Sequence, residues 1–200
     1  MNLHDPQTII LILVIVVAIV VAIALFARER RRAQSKHLQA KFGPEYSRTV
    51  ETAGDREKAE AELVAREKRV ERLKLVTLPA AEAARFAQLW EALQARFVDE
   101  PTKVVGEADQ LVRELMLKRG YPMGDFERRA ADLSVHHASV VENYRAAQAI
   151  ASRNSRGPVD TEELRRAVVH YRALFDELLE TGSARAATVR STNNRTTVES

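Results

Sequence analysis

The chain has 200 residues, 46% hydrophobic and 30% charged, and its lack of cysteine excludes a disulfide framework, a thiolate metal site and a cysteine nucleophile. Its net charge of +3 is unevenly spread: Arg28, Arg30, Arg31, Arg32, Lys36 and Lys41 fall within 14 residues holding one acid, which leaves Phe42–Gly182 at −3. A mildly acidic folded part argues against a nucleic-acid partner.

Residues 1–8 contain no Lys or Arg and one acid, Asp5, and Ile9–Ala27 follows as 19 apolar residues without charge, proline or glycine. At about 1.5 Å per residue a helix of this length covers roughly 28 Å, close to the ~30 Å hydrocarbon core of a bilayer. Only a helix would satisfy its backbone polar groups there, so 9–27 is expected to be a transmembrane helix. A secretory signal would begin with positive charge, carry a shorter apolar core and end at a small-residue cleavage site. No clean Ala-x-Ala site ends this run, so an uncleaved anchor is the better reading. The six cations of the basic juxtamembrane segment 28–41 predict a short extracytoplasmic N-terminus and a cytoplasmic remainder. Against an anionic leaflet each is worth about 1 kcal/mol, which makes membrane lipids the first expected partner. Topology alone, general adhesion and specific lipid recognition all fit these residues.

Residues 42–182 are enough for one domain with a real core, and their periodicity is helical throughout. Pro44 suits a first helical turn, and Tyr46 with Val50 give a short apolar face before Gly54. A charged helix is expected from Asp55 to about Lys74, with a thin stripe of Ala59, Leu63, Val70 and Leu73 and a Glu62–Arg66 pair. It reads as a solvated outer helix or a coiled-coil-like arm. From about Pro79 to Val98, the residues Phe86, Leu89, Trp90, Leu93 and Phe97 form a broad core-facing stripe. Pro101 opens the next helix, which Gly120 and Pro122 end. A short helix is expected over Asp125–Leu133 and a longer one from Val140 to about Arg153. The last opens at Asp160 with Glu163 in capping-box spacing and closes at Gly182. Residues 183–200, rich in Ser, Thr, Asn and Arg, are expected to be a disordered tail. The fold class is therefore all-α: an N-terminal transmembrane helix and a compact bundle of about five main helices.

Few side chains are arranged for chemistry. Asp132 and His136 are four apart, with His137 and Glu142 nearby, but there is no His-Glu-x-x-His, and Ser134 suggests a helix boundary between them. No metal site is expected. Neither Ser134 nor Ser139 sits in a glycine-framed elbow, and no phosphate-loop or dinucleotide glycine pattern occurs, so no catalytic residue and no cofactor is assigned. The connection Arg119–Phe126 holds two glycines, a proline and two aromatic residues. It is either a tight corner plugged by its aromatics or a contact loop presenting Tyr121 and Met123.

The blocks Phe42-Gly43-Pro44-Glu45-Tyr46, Ala95-Arg96-Phe97-Val98-Asp99, Arg119-Gly120-Tyr121-Pro122, Arg129-Ala130-Ala131-Asp132-Leu133-Ser134 and Tyr171-Arg172-Ala173-Leu174-Phe175 carry a resemblance. Over about Phe42–Leu179 the chain resembles an uncharacterised family of bacterial single-pass membrane proteins with a helical cytoplasmic domain. The resemblance implies a bacterial cytoplasmic membrane as the location and brings no activity. The expected function is a membrane-tethered interaction module that binds a protein partner or itself. The alternative is a small-molecule sensor or enzyme with a pocket between helices near Asp132, His136 and His137.

Overall fold

The computed structural model describes the backbone of residues 6–196 and the side chains of residues 13–179. Its described residues form eight helices and no strand, which places the chain in the all-α class. They divide into two units, Met1–Lys41 and Phe42–Ser200.

The first unit is built on α1 (Pro6–Phe42), which carries the apolar run and the basic segment on one continuous helix. Its large apolar side chains from Leu13 to Phe26 are 49–64% exposed, and Arg30 lies over the Phe26 ring at 5.1 Å. Among the described residues, no helix is long and apolar enough to cross a membrane. The apolar stretch with described side chains, Leu13–Ala27, covers only about 22 Å at the helical rise, and the remaining four residues of the expected span, Ile9 to Ile12, lie outside it.

The second unit begins with α2 (Pro44–Ala53) and α3 (Arg56–Glu71). Gly54, in the left-handed region at φ 65°, ends α2, and the Asp55 carboxylate caps α3 by accepting from the Lys58 N–H at 2.8 Å. The α3 stripe buries Ala59, Leu63 and Val70 as spaced, together with a charged residue, Arg66. An extended connection leads to α4 (Ala80–Ala95) and then to α5 (Pro101–Lys118), which buries seven apolar residues from Val104 to Met116. Phe86, Trp90 and Leu93 of α4 point inward. Leu89, which its spacing puts on the same stripe, is 42% exposed because α4 meets the core mainly through α5 and its inward face is narrow.

Three helices follow: α6 (Phe126–Leu133), α7 (Ala138–Asn154) and α8 (Thr161–Thr196). Asp125 caps α6, and Asp160 Oδ2 accepts from the Glu162 N–H at 3.0 Å at the start of α8. Helix α8 continues past Gly182, where an interior glycine costs about 1 kcal/mol without breaking the helix. The side chains of the expected tail, 183–200, lie outside the described residues.

The core sits where α8 packs against α5 and α7, with α4 laid on α5. Leu164, Ala167, Val168, Tyr171, Leu174, Phe175 and Leu178 of α8 are all buried in it. Trp90 stacks on Phe175 with ring centroids 4.7 Å apart, and each such fully buried large side chain contributes about 1.5–3 kcal/mol. This continuous apolar cluster runs from Leu78 to Leu178 and contains no residue of α2 or α3.

Candidate functional site

Helices α2, α3, α6 and α7 converge on charged groups rather than apolar ones. Glu45, in the first turn of α2, is 2% exposed and binds two arginines. Arg145 of α7 approaches with Nη2 at 2.8 Å from Oε1 and Nε at 3.2 Å from Oε2, and Arg66 of α3 donates from Nη1 to Oε1 at 3.3 Å. Arg66 also reaches Ser134 Oγ at 3.1 Å and Glu62 at 2.7 Å, while Arg145 reaches Glu127 at 2.6 Å. A buried carboxylate is tolerable only when its lone pairs are met in this way. Beside this group, Arg69 Nε and Nη2 both donate to Asp132 Oδ1, at 2.9 and 2.5 Å. Asp132 is fully buried, and its Oδ2 accepts no hydrogen bond.

Glu45, Glu62, Arg66, Arg69, Glu127 and Arg145 wall a cleft of about 600 Å³, completed by Arg48, Asp125 and Arg128. Asp125 turns its Oδ1 to the backbone N–H of Arg128 at 2.7 Å. The guanidinium groups of Arg48 and Arg128 are exposed at the cleft and have no carboxylate partner among the described residues. A second, apolar groove of about 260 Å³ lies between α4 and α5, floored by Phe86, Leu89 and Leu117 and rimmed by charges of both signs.

Asp132 and His137 take different side-chain partners, while the His136 and His137 rings lie 6.5 Å apart, edge to face. Asp132 supports the cleft through Arg69, whereas His137 is buried with Nδ1 3.0 Å from Glu177 of α8. Burial lowers the His137 pKa from the ordinary imidazole value, and Arg119 adds to this, while the hydrogen bond and charge of Glu177 oppose it. Ser134 does end α6, so Asp132 and His136 share no helix face. Among the described residues no group of three His, Cys, Asp or Glu is placed to hold a metal ion.

The contact loop divides in two. Tyr121 is buried and plugs the core, because Gly120 turns the chain inward there, so it offers no surface contact; Met123 stays 39% exposed. Along α1, Arg28, Arg30, Arg31, Arg32 and Lys36 are exposed and Lys41 is half-buried. Glu45, Arg66, Arg69 and Arg145 escaped the sequence reading because each looks like an ordinary charge on a solvated helix face. The only signal was Glu62–Arg66 beside a thin apolar stripe, which leaves room for Arg66 to turn inward.

No family model, curated protein or solved structure matches the chain.

Proposed function

We propose that the protein is a membrane-tethered helical interaction module, held by α1 in a bacterial cytoplasmic membrane with its N-terminus outside and the unit from Phe42 onward in the cytoplasm. The observation that carries this reading is the exposure of eleven large apolar side chains between Leu13 and Phe26. Leaving them in water would cost on the order of 1–2 kcal/mol each, which a lipid surround removes. With Ile9 to Ile12 on the same helix the run reaches 19 residues, and a cluster of arginines directly after such a run favours cytoplasmic retention of that side.

The partner we assign to the apolar groove is a second copy of this chain. Arg85 at its rim has no ion pair among the described residues, and Glu114 accepts only from Gln110 at 3.0 Å. A two-fold arrangement that brought Arg85 of each copy to Glu114 of the other over the apolar floor would supply the self-complementarity such an interface requires.

The absence of cysteine makes the topology directly testable. Single variants Asn2→Cys and Ser155→Cys are labelled with a membrane-impermeant maleimide. Labelling of the first on intact spheroplasts, and of the second only after lysis, is the expected result; release of the chain by alkaline carbonate rejects the anchor. For self-association, chemical cross-linking in native membranes is expected to give a dimer that Leu89→Glu abolishes, and a wild-type chain that stays monomeric rejects it.

A further inference from the structure

We propose that the cleft between α2, α3, α6 and α7 binds a phosphate group, gripped by Arg48 and Arg128 with Arg69 beneath. The assignment follows from which hydrogen-bonding groups of the cleft are already spent. Glu45 gives both oxygens to Arg66 and Arg145, Glu62 gives one to Arg66, Glu127 one to Arg145, and Asp125 one to the α6 backbone. Each acid lining the cleft is therefore engaged, and Arg66 and Arg145 are held as rigid walls. Arg69 spends Nε and Nη2 on Asp132, which leaves its Nη1 unused at a side chain 32% exposed.

The unspent positive groups are Arg48 and Arg128, whose planar forks match the paired oxygens of a phosphate. They come from helices far apart in sequence and line one cavity, so a single group that both can reach draws on two charges at once. A volume of about 600 Å³ admits a ligand well beyond a bare ion, either a phosphorylated metabolite or the phosphate of a lipid headgroup. The proposal stands whether or not α1 spans a bilayer.

The test uses the full-length protein in detergent micelles, titrated calorimetrically with pyrophosphate, beside the double variant Arg48→Gln/Arg128→Gln. Both side chains are exposed and unpaired, so circular dichroism of the variant should match the wild type. A second arm measures co-sedimentation with vesicles of phosphatidylcholine containing phosphatidylglycerol. It is read as the difference between the two proteins, because the α1 arginines are common to both. Pyrophosphate binding that weakens at least tenfold in the variant supports the site with a soluble ligand. A variant-sensitive difference seen only with vesicles supports it with a lipid headgroup. Absence of binding in both arms, or binding equal in the two proteins, overturns it.

Discussion

Glu45 and Arg145 stand one hundred positions apart in the chain and meet in a two-pronged ion pair, at 2.8 and 3.2 Å, that ties α2 to α7. The pair is 2% and 10% exposed, and Arg66, 5% exposed, shares the same carboxylate. Removing the acid alone takes the buried carboxylate from two guanidinium groups and leaves them, as carboxylate partners, only the exposed Glu62 and Glu127. Glu45→Ala should therefore weaken the docking of α2 and α3 by about 3–5 kcal/mol, whereas replacing all three members with apolar residues of similar volume should cost far less. Thermal melts followed by circular dichroism should place Glu45→Ala below both the wild type and the Glu45→Leu/Arg66→Met/Arg145→Met variant. A triple variant that melts below the single one would contradict this account.

Gly120 ends α5 at φ 89°, with the Tyr121 N–H donating back to the Met116 carbonyl at 3.0 Å. A Cβ added there would stand 2.6 Å from the Lys74 carbonyl oxygen, and Lys74 lies on the extended connection whose Val76 N–H bonds the Arg119 carbonyl. Gly120→Ala combines left-handed strain with a backbone collision and should cost about 3 kcal/mol or more. Gly54, at φ 65° with open space around it, carries only the strain, and Gly54→Ala should cost about 1–2 kcal/mol. Paired urea titrations give the comparison, and equal losses would remove the collision from the explanation.

Tyr171 is fully buried in the core and donates its hydroxyl hydrogen to Asp109 at 3.1 Å, with Gln148 Oε1 at 3.3 Å. Burial, reinforced by the charge of Asp109, holds its pKa far above the ordinary tyrosine value, so it remains a neutral donor. Asp109 keeps its ion pair with Arg113 at 3.1 Å when the hydroxyl is removed. Tyr171→Phe should then cost about 1–2 kcal/mol, the value of one hydrogen bond to a charged acceptor. Trp90, the single tryptophan, is stacked on Phe175 and reports unfolding of this core by its fluorescence.

The pH dependence should carry the signature of His137. Its pKa is lowered in the folded chain, chiefly by burial, with Arg119 acting in the same sense and Glu177 in the opposite one; the rings of Tyr121 and His136 also face it. In the unfolded chain the imidazole gains its proton near pH 6.5. The unfolded state thus binds more protons in the window below that pH. The stabilisation is complete above the unfolded value and is lost as pH falls through the folded one. Melting temperature should drop on acidification across this window, and His137→Gln should flatten the drop. Parallel slopes for the two proteins would assign the dependence to other groups.

How much of this was legible depended on whether the signal was local. The α5 and α8 stripes fell at helical spacing, and all seven of the α8 positions from Leu164 to Leu178 are buried as that spacing requires. Asp125 and Asp160, read as helix starts, do cap α6 and α8. Leu89 shows where periodicity stops informing, because a stripe gives the direction of a face but not how far the neighbouring helix extends over it. The cleft was invisible for a different reason. Glu45, Arg66, Asp132 and Arg145 belong to four helices, and nothing local distinguishes a charge that will pair across the fold from one that faces water.

The separation of α2 and α3 from the apolar cluster gives the molecule two tiers of cohesion. The tier built on α4, α5, α7 and α8 is held by buried hydrocarbon, while the α2–α3 hairpin contributes Tyr46, Ala59, Leu63 and Val70 and otherwise rests on guanidinium–carboxylate contacts. Opening the hairpin exposes far less apolar surface than opening the deeper tier, so its backbone amides should exchange with deuterium through a sub-global fluctuation of lower cost, before those of α5 and α8. Because that fluctuation also dismantles the arginine cleft, any ligand seated there would slow exchange in α2 and α3 and leave the deeper tier unchanged.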